Sequence, residues 1–511
     1  MIDYVPSIFN DVIGPVMRGP SSSHTAAAWR IGSLARDMLR GRACSVLVEF
    51  DADGSLVETY HTQGSDMGLA AGLLGIPMTD PDAARALALA EGRADLTFRV
   101  TDRKAEHPNN YALTLKDRMG EIRFEAVSIG GGMIELRRFQ GVPLRLRGDL
   151  HEHLALCDDP GALMAELAAL GGWERLECHG AEGRKLVRAA ALSDRAGELS
   201  RLPGACIFHL RPVVSVLSPA NLSLPFETLE QYEQGVADNG QPIWQHALAF
   251  EAARGGTDER TVLREAGRVL RVMRDAAREG LEAEYSNRVL HRQAHKLCAD
   301  GPLPSPLLNR AARLVTAVMQ AKSAMLPIVA APTAGSCGCL PGTLLALGEE
   351  MGLTEESLIQ ALLTAGLIGL FFAQRATFAA EEAGCQVECG AASGMTAAAV
   401  AMLLGAGARQ SLGAASMALQ AVSGLACDPV AGRVEVPCLG KNVMAGANAL
   451  TCAAMAQAGF DPVLPLGETI DALMRIGQSL PRSLRCTLGG LGDTPASYRL
   501  AERLSNVQKE G

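Results

Sequence analysis

Residues 424–438 read GLACDPVAGRVEVPC, and this stretch decides how the second half of the chain is built. Pro429 and Pro437 cannot continue a helix. Cys427 and Cys438 are therefore predicted at the two ends of a loop between buried helices. Glycines within the same stretch allow the backbone to approach a bulky group closely. The pattern predicts a loop that presents two thiols to one point.

A third cysteine has a similar context upstream. Cys385 stands in AGCQ at 383–386 and is predicted at the end of an earlier helix. Thiolates that converge from separate helix ends suit an iron–sulfur cluster. Three protein ligands would leave one iron open to act as a Lewis acid. The spacing alone leaves another interpretation open, because free cysteines are also common as small buried core residues.

The segments on both sides of these cysteines are rich in Ala, Leu, Met and Gly. Helices that are apolar on all sides lie inside a larger helical assembly. Residues 225–500 are therefore predicted to form an all-α domain that carries the cysteines. The helices predicted within it are 226–252, 258–282, 307–323, 358–378, 394–404, 414–425, 442–458 and 469–480.

Residues 1–143 have a mixed pattern that predicts an α/β domain. Strand-forming residues cluster at 44–50 and 96–100, and residues 25–39 have helical periodicity with few helix breakers.

Residues 144–220 have a different pattern, in which predicted strands and helices occur in the order β-α-β-β-α-β. This order is the ferredoxin-like pattern. The sequence DPGAL at 159–163 begins the first helix much as ACT regulatory domains do. Two interpretations stay open, an effector-binding domain and a structural spacer. The predicted fold class is thus multidomain α+β in three parts.

Bulk composition narrows the class of protein. A chain of 511 residues is long enough for two or three domains. The net charge of −9 argues against a nucleic-acid-binding protein, which needs a basic face. The first residues lack the basic and apolar blocks of a signal peptide, and the longest uncharged apolar stretch, near 361–373, is shorter than the roughly 20 residues of a membrane span. We therefore expect a cytosolic protein. Disulfides are rare in that compartment, so thirteen cysteines favour a metal or cluster site.

Six segments together resemble the iron–sulfur L-serine dehydratase family, in the single-chain form with fused β and α domains. They occur in family order, and the resemblance covers nearly all of residues 5–148 and 225–495. Three segments resemble the α domain, namely APTAGSCG at 331–338, AGCQ at 383–386 and the stretch 424–438. Three more resemble the β domain, namely GPSSSHT at 19–25, HPN at 107–109 and SIGGG at 128–132.

The resemblance implies a chemistry and a set of ligands. It makes Cys385, Cys427 and Cys438 the ligands of a [4Fe-4S] cluster, and it implies a homodimer. The activity it implies is dehydration of a small β-hydroxy acid, most simply of L-serine to pyruvate and ammonia, without pyridoxal phosphate. A sister activity, dehydration of a 2-hydroxymethyl dicarboxylate, is the first alternative. A regulatory protein that has kept the fold and lost the activity is the second.

The segment around Ser21 places hydroxyl groups at a predicted helix start. Backbone N–H groups at such a start bind anions, including a substrate carboxylate. Ser21, Ser22, Ser23 and Thr25 are therefore predicted to bind the substrate, and His24 can donate or accept a proton. The alternative is a plain serine N-cap.

A catalytic imidazole must come from the first part of the chain, because all ten histidines precede residue 296. The candidates are His24 and His61, and the choice between them stays open.

A second small-residue loop precedes a helix in the cysteine domain. Thr333, Gly335 and Ser336 lie in this loop and are predicted to bind the substrate, as are Lys441 and Asn442 after the third cysteine. The remaining cysteines of the region are interpreted as packing residues, namely Cys337, Cys339, Cys389, Cys452 and Cys486.

The sequence departs from the family pattern around the predicted site. Residues 61–66 read HTQGSD, in which the histidine is shifted by two positions. Gln420, Ala421 and Val422 stand where the family has Glu-His-Asn, and Gly-Lys-Asn at 440–442 replaces Glu-Arg-Asn. Retained cysteines with altered polar neighbours indicate a related reaction on a different substrate.

Overall fold

The computed structural model describes residues 4–19, 21–41, 45–57, 59–61, 63–181, 183–200, 206–298, 301 and 303–510, without the side chains of residues 23 and 506–510. The chain divides into two compact units. The helical unit comprises Met1–Pro20, Leu224–Ala253 and Thr257–Gly511. The sheet unit comprises Ser21–Ser223 and Arg254–Gly256.

Strands are concentrated in the sheet unit. They are β1 (Val16–Arg18), β2 (Ser45–Asp51), β3 (Asp95–Thr101), β4 (Asn110–Asp117), β5 (Gly120–Gly130), β6 (Met133–Phe139), β7 (Val142–Leu146), β8 (His151–Leu156), β9 (Arg175–Ala181), β10 (Arg184–Ala191), β11 (Cys206–Leu210) and β12 (Pro327–Val329).

Helices dominate the second half of the chain. They are α1 (Ala27–Met38), α2 (Ser65–Leu74), α3 (Ala86–Ala90), α4 (Pro160–Leu170), α5 (Ala196–Leu199), α6 (Leu229–Gly235), α7 (Ile243–Gly255), α8 (Glu259–Glu282), α9 (Pro306–Ser323), α10 (Cys339–Met351), α11 (Glu355–Arg375), α12 (Ala380–Ala383), α13 (Cys389–Leu403), α14 (Ala408–Gln420), α15 (Cys438–Gln457), α16 (Leu466–Ser479) and α17 (Pro495–Glu510).

A six-stranded sheet forms the first part of the sheet unit, in the order β3-β2-β4-β5-β6-β7. Only the β2–β3 pair is parallel among its pairings. Burial along β2 alternates residue by residue, as expected of a strand with one face on a core. That face packs against α1 through Ile31, Leu34, Val46 and Phe50. The predicted strand 44–50 corresponds to β2, although its first residue, Cys44, lies outside the described residues.

The second part of the sheet unit is a four-stranded antiparallel sheet in the order β11-β8-β10-β9. With α4 and α5 it has the predicted β-α-β-β-α-β order. Helix α5 is shorter than the predicted helix 194–202, of which residues 201–202 lie outside the described residues. Both sheets belong to one compact unit. The division of the chain at residue 143 stays a prediction.

The first twenty residues lie in the helical unit, not with the rest of the predicted N-terminal domain. Strand β1 pairs antiparallel with β12, which is the exception to the all-α prediction in the described part of that half. Ile8 and Val12 fill positions where α11 has glycines. A Cβ atom on Gly366 would lie 2.4 Å from Ile8, and one on Gly369 would lie 2.0 Å from Val12. These two glycines of α11 have no side chains, and this leaves the space that Ile8 and Val12 occupy.

The core of the helical unit is built from helices that are buried on most sides. In α13, every residue from its start through Ala401 is buried. Helix α11 is the described helix that is long and apolar enough to cross a membrane, and 72% of its most apolar window is buried inside the fold. It is a core helix, as the stretch 361–373 predicts. Together these helices position the cysteines at the ends of buried elements.

Candidate functional site

Two of the three predicted cluster cysteines lie at helix starts, and the third lies in a loop. Cys385 begins a short turn between α12 and α13. Cys427 follows α14 in a loop, and Cys438 is the first residue of α15. Pro437 stands directly before α15, where proline fits because the first N–H groups of a helix need no partner. The local sequence thus ends one helix and begins the next at the thiols.

Two of these thiols share a small space with a carboxyl group. The Sγ atoms of Cys385 and Cys427 and one carboxylate oxygen of Glu388 lie within 4.8 Å of one another. Cys385 Sγ is 3.9 Å from Glu388 Oε2. Cys438 lies outside this group of three atoms, but the charges of Cys385 and Glu388 act on it. All three cysteines are buried. The structure therefore brings the predicted cysteines to one region.

Glu388 is a site residue that the sequence interpretation missed. Its Oε1 accepts a hydrogen bond from the Thr333 hydroxyl at 2.7 Å. Burial and then the charge of Cys385 raise the pKa of Glu388 to about 8. The signal that could have identified it is its spacing of three residues from Cys385, just before α13. The carboxyl group can hold a proton beside the thiols at neutral pH.

The pKa values of the three predicted ligands shift in different directions. Hydrogen bonds with Cys389 and then Cys427 hold the pKa of Cys385 well below its usual range. The bond with Cys385 and then the one with Cys486 raise the pKa of Cys427. Burial raises the pKa of Cys438 to about 12. A metal binds thiolates, so loading this site would release protons.

Lys441 is a cation that acts on the cysteines and holds the loop of Cys427. Its Nζ donates hydrogen bonds of 2.6 Å to the Ala426 carbonyl and 2.9 Å to Asp428 Oδ1. Burial lowers its pKa, but the charges of Cys385 and Asp428 more than offset this and raise the pKa overall. Lys441 therefore remains positive and fixes the loop that carries Cys427.

The loop with Thr333, Gly335 and Ser336 packs against the cysteines. A Cβ atom on Gly335 would lie 3.0 Å from Glu388 Oε1, so a glycine lets the carboxyl group approach. The Ser336 hydroxyl is fully buried and bonds within the loop, to the Ala331 carbonyl and to Thr333. Ser336 thus shapes the loop, whereas Thr333 reaches the site.

Asn442, which is predicted to bind the substrate, has its side-chain amide engaged by other parts of the protein. Its Oδ1 accepts hydrogen bonds from the backbone N–H groups of Gly338 and Cys339, at 3.1 Å each. Its Nδ2 donates to the carbonyls of Gly335 and Cys438, at 2.8 Å each. An amide side chain has two donor and two acceptor positions. Because protein groups use all four, Asn442 positions the loop and α15.

The remaining cysteines of the region differ in their surroundings. Cys389 and Cys486 form hydrogen bonds with two of the predicted ligands. Cys389 pairs with Cys385, and Cys486 pairs with Cys427. Cys339 packs with Cys389 in a small apolar cluster, as expected of a packing residue. Cys337 Sγ lies 3.8 Å from Met319, and Cys452 Sγ lies 3.6 Å from Asn448.

The donor set fits a sulfur-ligated metal group. Sulfur ligands favour zinc and iron–sulfur clusters over hard cations. The three cysteines come from separate elements and are buried, which suits a bulky cluster shielded from solvent. We therefore take Cys385, Cys427 and Cys438 as the residues that would hold it.

The predicted substrate-binding turn of the sheet unit has its own network. Ser21 occupies the N-cap position of the turn Ser22–Ala26, but its hydroxyl makes no capping bond. Instead Ser21 Oγ lies 2.8 Å from His24 Nδ1, and His24 Nε2 lies 3.0 Å from Thr59 Oγ1. Thr59 donates its own proton to the Ser55 carbonyl, so Nε2 of His24 carries a proton and Nδ1 accepts one. Burial lowers the pKa of His24 to about 4, and the ring is neutral.

The turn also contacts the loop that carries His61. Thr25 Oγ1 donates a hydrogen bond of 3.0 Å to the Gln63 carbonyl. Ser22 is buried, and the side chain of Ser23 lies outside the described residues. The structure thus brings the two predicted base candidates into neighbouring segments.

His61 faces an open cleft of the sheet unit. Its Nδ1 lies 2.6 Å from Oδ2 of the buried Asp66, in the first turn of α2. The side chain of His61 is 73% exposed. It lines a cleft of about 760 Å³ together with Tyr60, Glu91 and Arg93. A carboxylate that holds one ring nitrogen leaves the other free to accept a proton.

Comparison with known proteins identifies similar chains. Residues 238–491 match the family profile described as serine dehydratase alpha chain. The probable L-serine dehydratase alpha chain of Bacillus subtilis (strain 168) is 42% identical over 241 residues, which is 46% of this chain and 80% of that relative. The L-serine dehydratase alpha chain of Peptoniphilus asaccharolyticus is 33% identical over 270 residues, 52% of this chain and 92% of the relative. The probable beta chain from Bacillus subtilis is 40% identical over 163 residues, 32% of this chain and 73% of the relative. This one chain is similar to both an alpha and a beta chain.

Proposed function

The chain belongs to the iron–sulfur L-serine dehydratase family and is a lyase, and we propose that it converts L-serine to pyruvate and ammonia with a [4Fe-4S] cluster held by Cys385, Cys427 and Cys438. The observation that carries the proposal is the close approach of Cys385, Cys427 and Glu388 within the matched residues 238–491. Buried sulfur atoms from separate elements are a costly arrangement for a core when a half-buried carboxyl group such as that of Glu388 lies beside them.

When bound, the cluster would supply a Lewis-acidic iron for the substrate hydroxyl group. Glu388 can hold a proton on its carboxyl group beside Cys385, and the Thr333 hydroxyl orients that group. Lys441 keeps a positive charge close to Cys385 and Asp428. These residues would stabilise a departing hydroxide and exclude bulk water, because the site is largely buried.

The turn Ser21–Thr25 is proposed to bind the substrate carboxylate, in keeping with hydroxyl groups and backbone N–H groups at a helix start. Two imidazoles are candidates for the base that takes the Cα proton. His61 has an exposed ring and a carboxylate partner, Asp66. His24 is neutral, but both of its nitrogens are hydrogen-bonded. Such contacts can rearrange when substrate binds, so both residues are tested below.

A second candidate substrate is another β-hydroxy acid, such as a 2-hydroxymethyl dicarboxylate. Val422 is buried and packs against Gly390, in the first turn of α13 after Cys389. Gln420 bonds to Ser416 and the Pro462 carbonyl instead of pointing to the thiols. Apolar and diverted side chains stand where the family has polar ones, and this favours an altered substrate.

The deciding experiment is anaerobic reconstitution of the full chain with ferrous iron and sulfide. The parent should bind about four irons per chain, as a cubane cluster requires. Cys385→Ser, Cys427→Ser and Cys438→Ser should each lose the cluster and L-serine turnover. Cys452→Ser is the matched control, because that buried thiol bonds to Asn448 away from the site.

Two outcomes would contradict the proposal. Retention of full iron content by all three serine variants would remove the ligand assignment. Absence of both iron and turnover in the parent would favour a regulatory relic of the fold. Light scattering of the same samples tests the proposed homodimer, and cell fractionation tests the proposed cytoplasmic location.

A further inference from the structure

Lys322 is a buried lysine of the helical unit that none of the steps above uses. It lies in the last turn of α9, and only 1% of its surface is exposed. Lysine is almost never fully buried in a protein unless it is paired. Burial of an ammonium group is costly because the charge loses its hydration, and a nearby anion offsets that cost. The position of Lys322 therefore points to an anionic partner.

The contacts of Lys322 satisfy only part of what its ammonium group needs. The group has three N–H donors, and it donates a hydrogen bond to the Val434 carbonyl. The described part of the chain gives it no carboxylate partner. Glu435 follows Val434 directly, but its Oε2 accepts a hydrogen bond of 3.1 Å from the Leu290 N–H. Lys322 thus brings a positive charge into the core that no described carboxylate balances.

The charge of Lys322 acts on the cysteine site. It interacts electrostatically with Cys438 and with Glu388. Its effect on Cys438 is larger than that of Lys441. The two lysines also differ in their partners, because Lys441 pairs with Asp428 at 2.9 Å. Of these two cations, Lys322 is the one without a carboxylate, and Cys438 is the predicted ligand on which it acts.

The alternative is a purely structural role for Lys322. A cation in the last turn of a helix interacts favourably with the helix dipole. The bond to Val434 also ties the end of α9 to the loop before α15. Such a role would contribute equally whether or not the cysteines hold a metal group, and a neutral donor could replace the bond to the carbonyl. The two roles therefore predict different results for charge and for metal loading.

We propose that Lys322 is the counter-charge of the metal–thiolate group and acts through Cys438, an inference that rests on the proposed function. Metal ligation converts cysteine thiols to thiolates. Three thiolates outweigh the positive charge of the usual cluster core, so the loaded group is an anion. In a buried site little water screens the attraction between this anion and an ammonium group. Lys322 is a positioning residue in this role, because it stabilises the charge on a ligand without binding iron.

The test compares the full chain with and without its cluster, under anaerobic conditions. In the unloaded protein, Lys322→Met should be at least as stable as the parent, because it removes a buried charge that no described carboxylate balances. In competition with a chelator, the loaded variant should hold iron at least about tenfold less tightly, since changes around metal ligands cost 10–100-fold in affinity. Its cluster should also have a lower reduction potential, because net charge is one of the properties that set it.

Two further variants separate charge from hydrogen bonding. Lys322→Gln removes the charge but keeps an N–H group that can donate to the Val434 carbonyl, and it should behave like Lys322→Met. Lys322→Arg keeps the charge and should recover most of the iron affinity. Lys296→Met is the control for net charge, because that lysine is exposed, and it should load as the parent does. Gln320→Met removes a buried partner of the Gln293 N–H on the same helix and should destabilise both forms alike.

Each remaining outcome has a distinct meaning. Parental iron affinity and reduction potential in Lys322→Gln would assign any loss in Lys322→Met to the hydrogen bond, and this would overturn the proposal. Equal destabilisation of loaded and unloaded Lys322→Met would overturn it too, because a structural role predicts that result. Normal loading of the parent and of all Lys322 variants would contradict this inference alone. A parent that takes up no iron would contradict the proposed function together with it.

Discussion

Thr333 donates its hydroxyl proton to Oε1 of Glu388 at 2.7 Å, although 55 residues separate the two along the chain. The contact joins the small-residue loop before α10 to the turn that carries Cys385. It also gives the half-buried carboxyl group a fixed direction beside the thiol. The most direct predictions concern this pair.

Thr333→Val should lower kcat/KM by up to about tenfold while iron content stays at the parental level. Glu388 holds its proton at neutral pH, a hydrogen bond between neutral groups is worth about 0.5–1.5 kcal/mol, and 1.4 kcal/mol corresponds to a factor of about ten. Steady-state kinetics under anaerobic conditions, with iron analysis, measure both. The control is Thr343→Val, because the Thr343 hydroxyl is buried without a partner among the described residues. Equal loss in both variants would show that the Glu388 contact has no special role.

Asn442→Ala should destabilise the helical unit by about 3 kcal/mol or more, because two buried N–H groups and two carbonyls lose their partner and each costs about 1–3 kcal/mol. Urea unfolding followed by fluorescence measures the change. Gln457→Ala, an exposed position at the end of the same helix, is the control. An Asn442→Ala variant that lost turnover with unchanged stability would contradict this structural role and support substrate binding by Asn442.

Lowering the pH should reduce the stability of the sheet unit through His24. An unfolded histidine has a pKa of about 6.5, whereas that of folded His24 is about 4. Between these values the unfolded chain binds more protons, so stability is full above about pH 6.5 and falls as the pH drops towards 4. The shift corresponds to at most about 3 kcal/mol.

The measurement compares the Tm of the parent and of His24→Asn at pH 7.5 and pH 5. The variant should lose less Tm on acidification. Some pH dependence should remain in it, because burial also lowers the pKa of His153 to about 4. Identical pH dependence in both proteins would contradict the prediction.

His61→Asn should reduce kcat/KM more than His24→Asn if His61 removes the Cα proton. Asp66→Asn should act in the same direction as His61→Asn, because Asp66 holds Nδ1 of that ring at 2.6 Å. The acid limb of the pH–rate profile should disappear in the His61 variant, since that limb reports the base. A profile that changes only in His24→Asn would assign the base to His24.

Substrate choice should show the effect of the altered neighbours of Cys427. Each hydrogen-bonding partner lost from a buried site costs about 1–3 kcal/mol, so two such losses should weaken L-serine turnover by orders of magnitude unless other groups compensate. The measurement is kcat/KM for L-serine, L-threonine, 3-hydroxyaspartate and 2-hydroxymethyl dicarboxylic acids without oxygen. If L-serine is best by a wide margin, Ala421 and Val422 are neutral replacements.

Periodicity predicted most long helices well. The predicted helix 358–378 lies almost entirely within α11, and the β-α-β-β-α-β order of the middle part matches its sheet. These segments follow local rules, because burial on one face or on all faces leaves a mark in the sequence. No periodic pattern in residues 1–20 indicates that this segment packs in the helical unit. This packing depends on glycines of α11 that are far away in the chain.

Sequence alone identified the family and the alternation of strands and helices, and it predicted the three cysteine ligands, because each depends on residue type and local spacing. Only the tertiary structure decided what surrounds those residues. It placed Thr333 against Glu388, used the amide of Asn442 in backbone contacts, and set His209 opposite His153. Such pairings join segments that are distant in the chain, and hydrogen-bond capacity and burial are properties of the folded arrangement, which no local pattern encodes.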